Sequence, residues 1–244
     1  MIIYNLVMTR FSLVGSLKSL FPIEITGYIG EKFLREIRSF ANSLPKGSKV
    51  LDAGAGEMQH KPLFKHCEYF SADIAYEENK WNYRGIDFVV DLENMDSIPS
   101  NHFDAVLCAQ VLEHVKHPPR LLKELYRVLK PGGRLLLTTN PAFEDHQQPH
   151  HYFNTTQFGI RLLFDEAEFT STRVEYVGGY FVFLATILQN FWFYFGESYL
   201  IKLVDVITYP IYFLMASVLV FLDRFDKKRT LSSIVVGEAI KAHH

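Results

Sequence analysis

An acid followed by two glycines is the part of this chain that most clearly could do chemistry. The segment 50–56, Val50-Leu51-Asp52-Ala53-Gly54-Ala55-Gly56, has the pattern of a buried strand that ends in a sharp turn. Glycine suits such a turn because it adopts positive φ readily and lets a ligand approach the backbone closely. Ligands of open α/β sheets bind beyond the carboxyl ends of the strands. The turn at Gly54 and Gly56 is therefore a candidate binding loop.

The position three residues after Gly56 distinguishes a dinucleotide from an adenosine-containing ligand without phosphate. A dinucleotide-binding loop has a third glycine there, beside the pyrophosphate, whereas this chain has Gln59. S-adenosylmethionine has no phosphate and can dispense with that glycine, but its ribose hydroxyls need an acid about 20 residues further on. Asp73 ends the next apolar segment at that place, and Asp91 ends a third such segment. The pattern favours S-adenosylmethionine over a dinucleotide.

Two longer motifs lie further along the chain. They read FDAVLCAQVLEHV over residues 103–115 and LLKELYRVLKPGG over residues 121–133. With the glycine turn, they resemble motifs of the class I S-adenosylmethionine-dependent methyltransferases, in the broad branch with quinone-, lipid- and glycan-modifying members. The resemblance spans roughly residues 46–169. It implies an α/β fold with a doubly wound, mostly parallel seven-stranded sheet, a final antiparallel strand and a Rossmann-like arrangement.

Carried over position by position, the resemblance also implies a cofactor site. The residues that it implies lie at strand ends: Asp52, Gly54 and Gly56 around the methionine part, Asp73 at the ribose hydroxyls, Asp91 and Leu92 at the adenine, and Gln110 beneath the methionine end. The chain departs from the family in one respect, since Met58 stands where another glycine is frequent. We expect a bulkier loop there.

The histidine-containing segment 145–155 is the expected acceptor side. His150 or His151 would act as general base if the acceptor is an alcohol or phenol, and Tyr152 would shape the acceptor pocket. The alternative, in which these histidines only cap the loop, stays open. Nothing around His146, His150 and His151 forms a metal-ligand motif, so no metal is expected. His114 is expected to be structural.

Composition excludes some partners and compartments. The net charge of −2 gives no electrostatic reason to expect a nucleic acid partner. Cys67 and Cys108 lack a paired spacing, which fits a reducing compartment. The first residues show no charged leader or cleavage site, so secretion is not expected. Residues 11–44 read as amphipathic helical material, with Leu34, Ile37, Phe40 and Leu44 at helical spacing.

Two uncharged, aromatic-rich runs cover residues 176–196 and 206–222, and a basic cluster follows the second. Each is near the lower length for crossing a bilayer, which is about 17–20 residues. Residues 231–240 read as a strand that returns antiparallel beside one at about 172–177, so the chain would leave and re-enter on one side. That leaves a helical hairpin or two helices in the membrane interface. Pro210 would kink or break the second helix. A dimer interface or a lid over an apolar pocket are the alternatives.

The sequence thus predicts three parts: an N-terminal helical cover (1–45), a methyltransferase domain (46–178 and 230–242) and a hydrophobic membrane-associating insertion (179–229). The expected activity is methyl transfer from S-adenosylmethionine to a lipid-linked, quinone-like or glycan acceptor, which would be a small molecule or lie at a membrane surface. The expected location is the cytoplasmic side of that membrane, and an oligomer is possible. The alternative function is a non-catalytic methyltransferase-like binding module.

Overall fold

The computed structural model describes residues 25–75, 82–194 and 199–243. The described residues divide into two compact units. One is drawn from Lys32–Val177 and Leu231–His244, and the other from Met1–Glu31 and Gly178–Thr230.

The larger unit is built on a seven-stranded sheet with the order β3-β2-β1-β4-β5-β7-β6. Its strands are β1 (Lys49–Ala53), β2 (Glu68–Asp73), β3 (Phe88–Val89), β4 (Phe103–Ala109), β5 (Leu129–Thr139), β6 (Phe169–Val177) and β7 (Ile234–Lys241). Strand β7 runs antiparallel to β5 and to β6, while the pairs among β1 to β5 are parallel. The predicted α/β fold, with its returning antiparallel strand, is confirmed.

The central strands are apolar on both faces because helices cover the sheet. Val50 and Leu51 in β1, and Val106 and Leu107 in β4, have no exposed surface. Parallel sheets show such continuous hydrophobic runs when both faces are packed. The carboxyl ends of β1, β2, β4 and β5 consequently meet at one edge of the sheet.

Three helices accompany this sheet: α1 (Ile25–Asn42), α2 (Pro118–Val128) and α3 (Gln157–Glu166). The predicted helical spacing near the N-terminus is seen in α1, where Ile37 and Phe40 are buried, whereas residues 11–24 lie outside the described residues. The apolar face of α2 is buried. Thr156 caps α3 by accepting a hydrogen bond from the backbone N–H of Gly159.

The chain passes directly from α2 into β5, whose first part contains Pro131, Gly132 and Gly133. The helix ends at Val128, and Leu129 already pairs with Phe103 of β4. Pairing then shifts register and resumes between Ala105 and Arg134. The proline and two glycines therefore form an irregularity inside the strand, a place where proline and glycine disrupt ladder hydrogen bonds least.

The smaller unit contains helices α4 (Tyr180–Tyr194) and α5 (Tyr199–Leu222), which lie between β6 and β7 in the chain. The start of α4 is held by two aspartates: Asp223 Oδ1 accepts from the N–H groups of Gly179 and Val182 at 3.1 Å, and Asp226 Oδ2 accepts from Tyr180 N at 2.7 Å. Such acceptors satisfy the free N–H groups of a helix start.

Pro210 was expected to kink or break the second helix; α5 continues through it, so the helix does not break there. A proline removes one backbone hydrogen bond, and the neighbouring turns keep theirs. No helix within the described ranges is both long enough and apolar enough to cross a membrane.

Candidate active site

The turn after β1 requires glycine at Gly54 for two reasons. Its φ of +84° is in the left-handed region, and an added Cβ would overlap a methyl group of Val111. The N–H of Gly54 donates to Ala72 O at 2.8 Å, which ties the turn to β2. The predicted binding loop thus packs against Val111, two residues after the end of β4.

Asp73 connects the ends of β1 and β2. Its Oδ2 accepts from Gly56 N and its Oδ1 from Ala75 N, both at 2.9 Å, and only 7% of the residue is exposed. Each carboxylate oxygen has two lone pairs, so both oxygens can accept a further hydrogen bond. A pair of ribose hydroxyls fits that remaining capacity.

Asp52 lies inside the sheet rather than on the surface of the loop. Its Oδ2 accepts from Tyr69 Oη at 2.5 Å, and 1% of the residue is exposed. Burial raises the pKa of Asp52 to about 7, the Tyr69 hydrogen bond opposes this, and the charge of Asp73 adds to it. Asp52 is therefore a buried residue of β1 that bonds Tyr69 of β2, two positions before the turn at Gly54.

The adenine-side and methionine-side candidates lie in different surroundings. Asp91 is exposed and its Oδ1 accepts from Glu93 N at 2.9 Å, whereas Leu92 is 6% exposed and belongs to the core. Gln110 directly follows β4 with a φ of 59°, and its side chain donates to Thr138 Oγ1 at 3.2 Å. The structure brings Gly56 and Asp73 into direct contact. Asp91 and Gln110 lie at separate strand ends.

Met58, the departure from the family pattern, has a φ of 56°. A glycine adopts this conformation without cost, and in other residues it is uncommon. Its N–H donates to Ala55 O at 2.7 Å, so the loop forms a closed turn with methionine in this place.

Glu113 is a buried acid that the sequence analysis overlooked. It has no exposed surface, and its carboxylate accepts from Thr139 Oγ1 at 2.7 Å and from Asn140 Nδ2 at 3.2 Å. Burial raises the pKa of Glu113 to about 7, opposed by hydrogen bonds from the backbone and Thr139. The sequence signal was an acid directly after the strand-end motif, but its contacts with β5 come only from the fold.

The same glutamate anchors the acceptor-side segment through its backbone. Glu113 O accepts from Tyr152 N at 2.8 Å and from Phe153 N at 3.4 Å. The side chains of Tyr152 and Phe153 are 37% and 41% exposed. An aromatic surface is therefore held at the same edge of the sheet as the glycine turn.

The two predicted bases occupy different environments. The imidazole of His151 is 3% exposed and lies 4.5 Å from that of His146, between ring centroids. His150 is half-buried, and its Nδ1 lies 3.2 Å from Tyr152 Oη. His114, expected to be only structural, packs with His146 and His151, and burial lowers its pKa to about 4. Of the two candidate bases, His150 is the one beside the exposed aromatic surface.

Comparison with known proteins supports a methyltransferase assignment. Residues 51–137 match the family model described as a methyltransferase domain. A tRNA (carboxymethyluridine(34)-5-O)-methyltransferase of Arabidopsis thaliana is 33% identical over 115 residues, which are 45% of this chain and 28% of that protein. A ubiquinone biosynthesis O-methyltransferase of Xanthomonas oryzae pv. oryzae is 41% identical over 103 residues, 38% of this chain and 43% of that protein. The chain thus spans less than half the length of either relative.

A solved structure agrees with the observed fold over nearly the whole chain. A SAM-dependent methyltransferase from Archaeoglobus fulgidus aligns with a TM-score of 0.56 and 14% identity, covering 94% of this chain and 100% of that one. The resemblance and the predicted cofactor, S-adenosylmethionine, are confirmed at the level of the family. Residues 51–137 thus form a methyltransferase domain by sequence, and the chain has the fold of class I S-adenosylmethionine-dependent methyltransferases.

Proposed function

We propose that the protein transfers a methyl group from S-adenosylmethionine to a lipid-linked, quinone-like or glycan acceptor at the cytoplasmic face of a membrane. The observation that carries the transfer is the contact between the glycine turn and Asp73, where Gly56 N donates to Asp73 Oδ2 at 2.9 Å. This contact sets a carboxylate with spare acceptor capacity beside a turn in which a side chain at Gly54 would not fit.

The residues of the chain have modest chemical tasks in this reaction. Bound S-adenosylmethionine supplies a methyl group already activated by its sulfonium, so the protein mainly aligns the acceptor and excludes water. Tyr152 and Phe153 offer exposed aromatic side chains for contact with the acceptor. His150 accepts the acceptor's proton where the acceptor is a hydroxyl, because its imidazole is near Tyr152 at that surface.

The proposed acceptor class is inferred from the net charge and the exposed apolar surface of the chain, and not from the cofactor motifs. The two relatives are named for tRNA and for ubiquinone biosynthesis, so shared motifs do not select an acceptor. The net charge of −2 gives little attraction to a polyanion. An apolar acceptor is favoured by the exposed surface of the smaller unit.

That surface is a stripe of exposed apolar side chains along α5. Its members lie at positions i, i+3, i+4, i+7 and i+10 and are about half exposed or more: Ile211 56%, Leu214 66%, Met215 48%, Val218 50% and Phe221 52%. This periodicity places them on one helical face. An exposed apolar face of this length marks a surface for a lipid interface or a protein partner.

Basic residues lie directly after this stripe and favour lipid as its partner. Lys227, Lys228 and Arg229 are exposed, and the guanidinium of Arg224 lies 5.3 Å from the centroid of the Phe221 ring. Each basic residue near an anionic membrane surface contributes about 1 kcal/mol to binding. The apolar stripe and the basic residues together fit a helix that lies in the interface.

Vesicle flotation tests this location. The full-length protein should float with vesicles that contain anionic lipid, and Leu214→Gln with Val218→Gln should release it. The matched control is Phe158→Gln with Leu162→Gln, which removes exposed apolar side chains (71% and 58% exposed) from α3 and should leave flotation unchanged. Equal release by both pairs, or no flotation of the wild type, would contradict the membrane proposal.

Labelled cofactor tests the activity. The protein should convert S-adenosylmethionine to S-adenosylhomocysteine and label one component of a membrane lipid extract, whose chemistry then identifies the acceptor. Cofactor binding without any labelled product from lipid, quinone or glycan fractions would favour the alternative, a methyltransferase-like binding module.

A further inference from the structure

Four side chains with metal-binding chemistry meet at the carboxyl ends of β4 and β5. Glu113, His114 and His146 each place a potential ligand atom within 4.8 Å of the others. The ring of His151 joins them, with its centroid 4.5 Å from that of His146 and 5.8 Å from that of His114. They come from the end of β4 and from the loop after β5, so the fold rather than sequence spacing assembles them.

Two of the imidazoles are oriented by backbone oxygens. His114 Nδ1 lies 2.6 Å from His150 O, and His146 Nδ1 lies 3.0 Å from Glu144 O. A carbonyl only accepts, so in each case Nδ1 carries the proton and Nε2 keeps its lone pair. Metal-binding histidines are held in this way, with the second ring nitrogen donating to a carbonyl or carboxylate.

The third imidazole is oriented by an acid. His151 Nδ1 lies 3.4 Å from Asp145 Oδ1, close enough for an electrostatic contact although long for a hydrogen bond. The carboxylate favours the proton on Nδ1, which leaves the lone pair of His151 on Nε2.

Buried nitrogens without hydrogen-bond partners are concentrated in this cluster. Among the described residues, they include His114 Nε2 and both ring nitrogens of His151. Leaving a buried polar atom unpaired costs about 1–3 kcal/mol, and such atoms in native proteins call for an explanation such as a bound ion. A cation at this place would accept the lone pairs that the protein leaves unpaired.

We propose that Glu113, His114, His146 and His151 bind a divalent first-row transition metal, such as Zn²⁺. Three imidazoles with a carboxylate suit these metals, whereas Mg²⁺ and Ca²⁺ prefer oxygen ligands throughout. Glu113 keeps a lone pair for the metal on each oxygen beyond its bonds to Thr139 and Asn140. No metal was expected from the sequence because no ligand motif accompanies His146, His150 and His151; the fold adds Glu113 and His114.

The position of this site suggests its use. His114 N donates to Val111 O at 2.8 Å, and the Val111 side chain fills the space above Gly54. The metal would therefore lie on the acceptor side of the cofactor turn, where it would bind an acceptor oxygen and lower its pKa. This use rests on the proposed methyl transfer, whereas the metal site does not.

Metal titration of the chelator-treated, full-length protein tests the proposal. Calorimetry with Zn²⁺, and visible absorption with Co²⁺, should show one equivalent bound. His146→Ala and His151→Ala should each weaken binding by about 100-fold, and Asp145→Asn by about 10-fold through loss of the orienting acid. The control is His150→Ala, which removes an imidazole from the same loop, keeps the carbonyl that orients His114, and should retain the wild-type affinity.

X-ray absorption of the zinc-loaded wild type supplies a measurement that needs no variant. It should show imidazole nitrogens around the metal. All-oxygen coordination, absence of binding, or equal affinities for His146→Ala and His150→Ala would overturn the site. S-adenosylhomocysteine binding by the metal-free protein separates the two proposals, since it should persist if only the metal site is wrong.

Discussion

The cofactor side and the acceptor side of the sheet edge are built on different principles. At the ends of β1 and β2, Asp73 is tied down by backbone N–H groups of Gly56 and Ala75, and Tyr69 satisfies Asp52. At the ends of β4 and β5, the imidazoles of His114 and His151 are buried with ring nitrogens that have no hydrogen-bond partner in the described chain. On the first side the two aspartates have hydrogen-bond partners within the protein. On the second side the proposed metal would supply the partner that these ring nitrogens lack among the described residues.

This difference matters for function because a satisfied site is rigid before its ligand arrives. A turn fixed by its own hydrogen bonds suits a cofactor that every reaction uses. Unsatisfied groups suit a ligand that completes them, and acceptor chemistry is the part that varies between the relatives. The following predictions test this difference between the two sides.

The largest effect is expected from His150→Ala on turnover with an acceptor that carries a hydroxyl. Loss of a general base lowers kcat by about 10²–10⁴-fold. S-adenosylhomocysteine affinity and metal affinity should stay at wild-type values, which assigns the loss to proton transfer. Full activity of the variant would show that the acceptor needs no base from this loop.

Gly54→Ala should destabilise the fold by about 2–5 kcal/mol, measured by denaturant unfolding. The added Cβ meets the left-handed φ, which costs about 1–2 kcal/mol, and overlaps Val111, which costs about 1–3 kcal/mol.

Gly47→Ala is the matched control for this substitution. Its φ of +82° is nearly the same, but nothing lies within 4 Å of the added Cβ, so only the backbone cost remains. Val111→Ala should partly rescue Gly54→Ala. Equal losses at the two glycines would mean that Val111 does not hold the turn.

Asp52 should make the protein less stable as the pH rises towards neutral. Its folded pKa of about 7 exceeds the ordinary aspartate value of 3.8, so between those values only the folded form keeps the proton. The wild type should lose about 1.4 kcal/mol per pH unit relative to Asp52→Asn, or about 2 kcal/mol between about pH 5 and about pH 6.5.

Asp104 should change the stability with pH in the opposite direction to Asp52. Although burial opposes it, the hydrogen bond from Lys130 and the N–H of Lys49 hold the pKa of Asp104 below its usual value. The wild type should therefore gain stability relative to Asp104→Asn as the pH rises through about 4. Parallel pH profiles for the two variants would contradict both assignments.

The sequence predicted the sheet well because its signals are local, and the structure brings two of the predicted cofactor residues, Gly56 and Asp73, into contact. A strand that ends in glycines, and acids at successive strand ends, can be read along the chain at Gly54 and Asp73. The acceptor side depends on contacts between distant segments, such as Tyr152 N with Glu113 O, which no spacing encodes. For the same reason the contacts of Glu113 with Thr139 and Asn140 were missed.

The most direct test of the account is calorimetry of S-adenosylhomocysteine with Asp73→Ala, beside Asp87→Ala as control. Asp87 directly precedes β3 and accepts from Ser71 N and Ser71 Oγ at 2.9 and 2.7 Å, but does not contact the glycine turn in the hydrogen bonds described. Asp73→Ala should lose about 2 kcal/mol of binding free energy, close to 30-fold in affinity, because a charge-assisted contact is removed. Asp87→Ala should bind as the wild type does. Unchanged affinity in Asp73→Ala would contradict the assignment of the cofactor to this edge of the sheet.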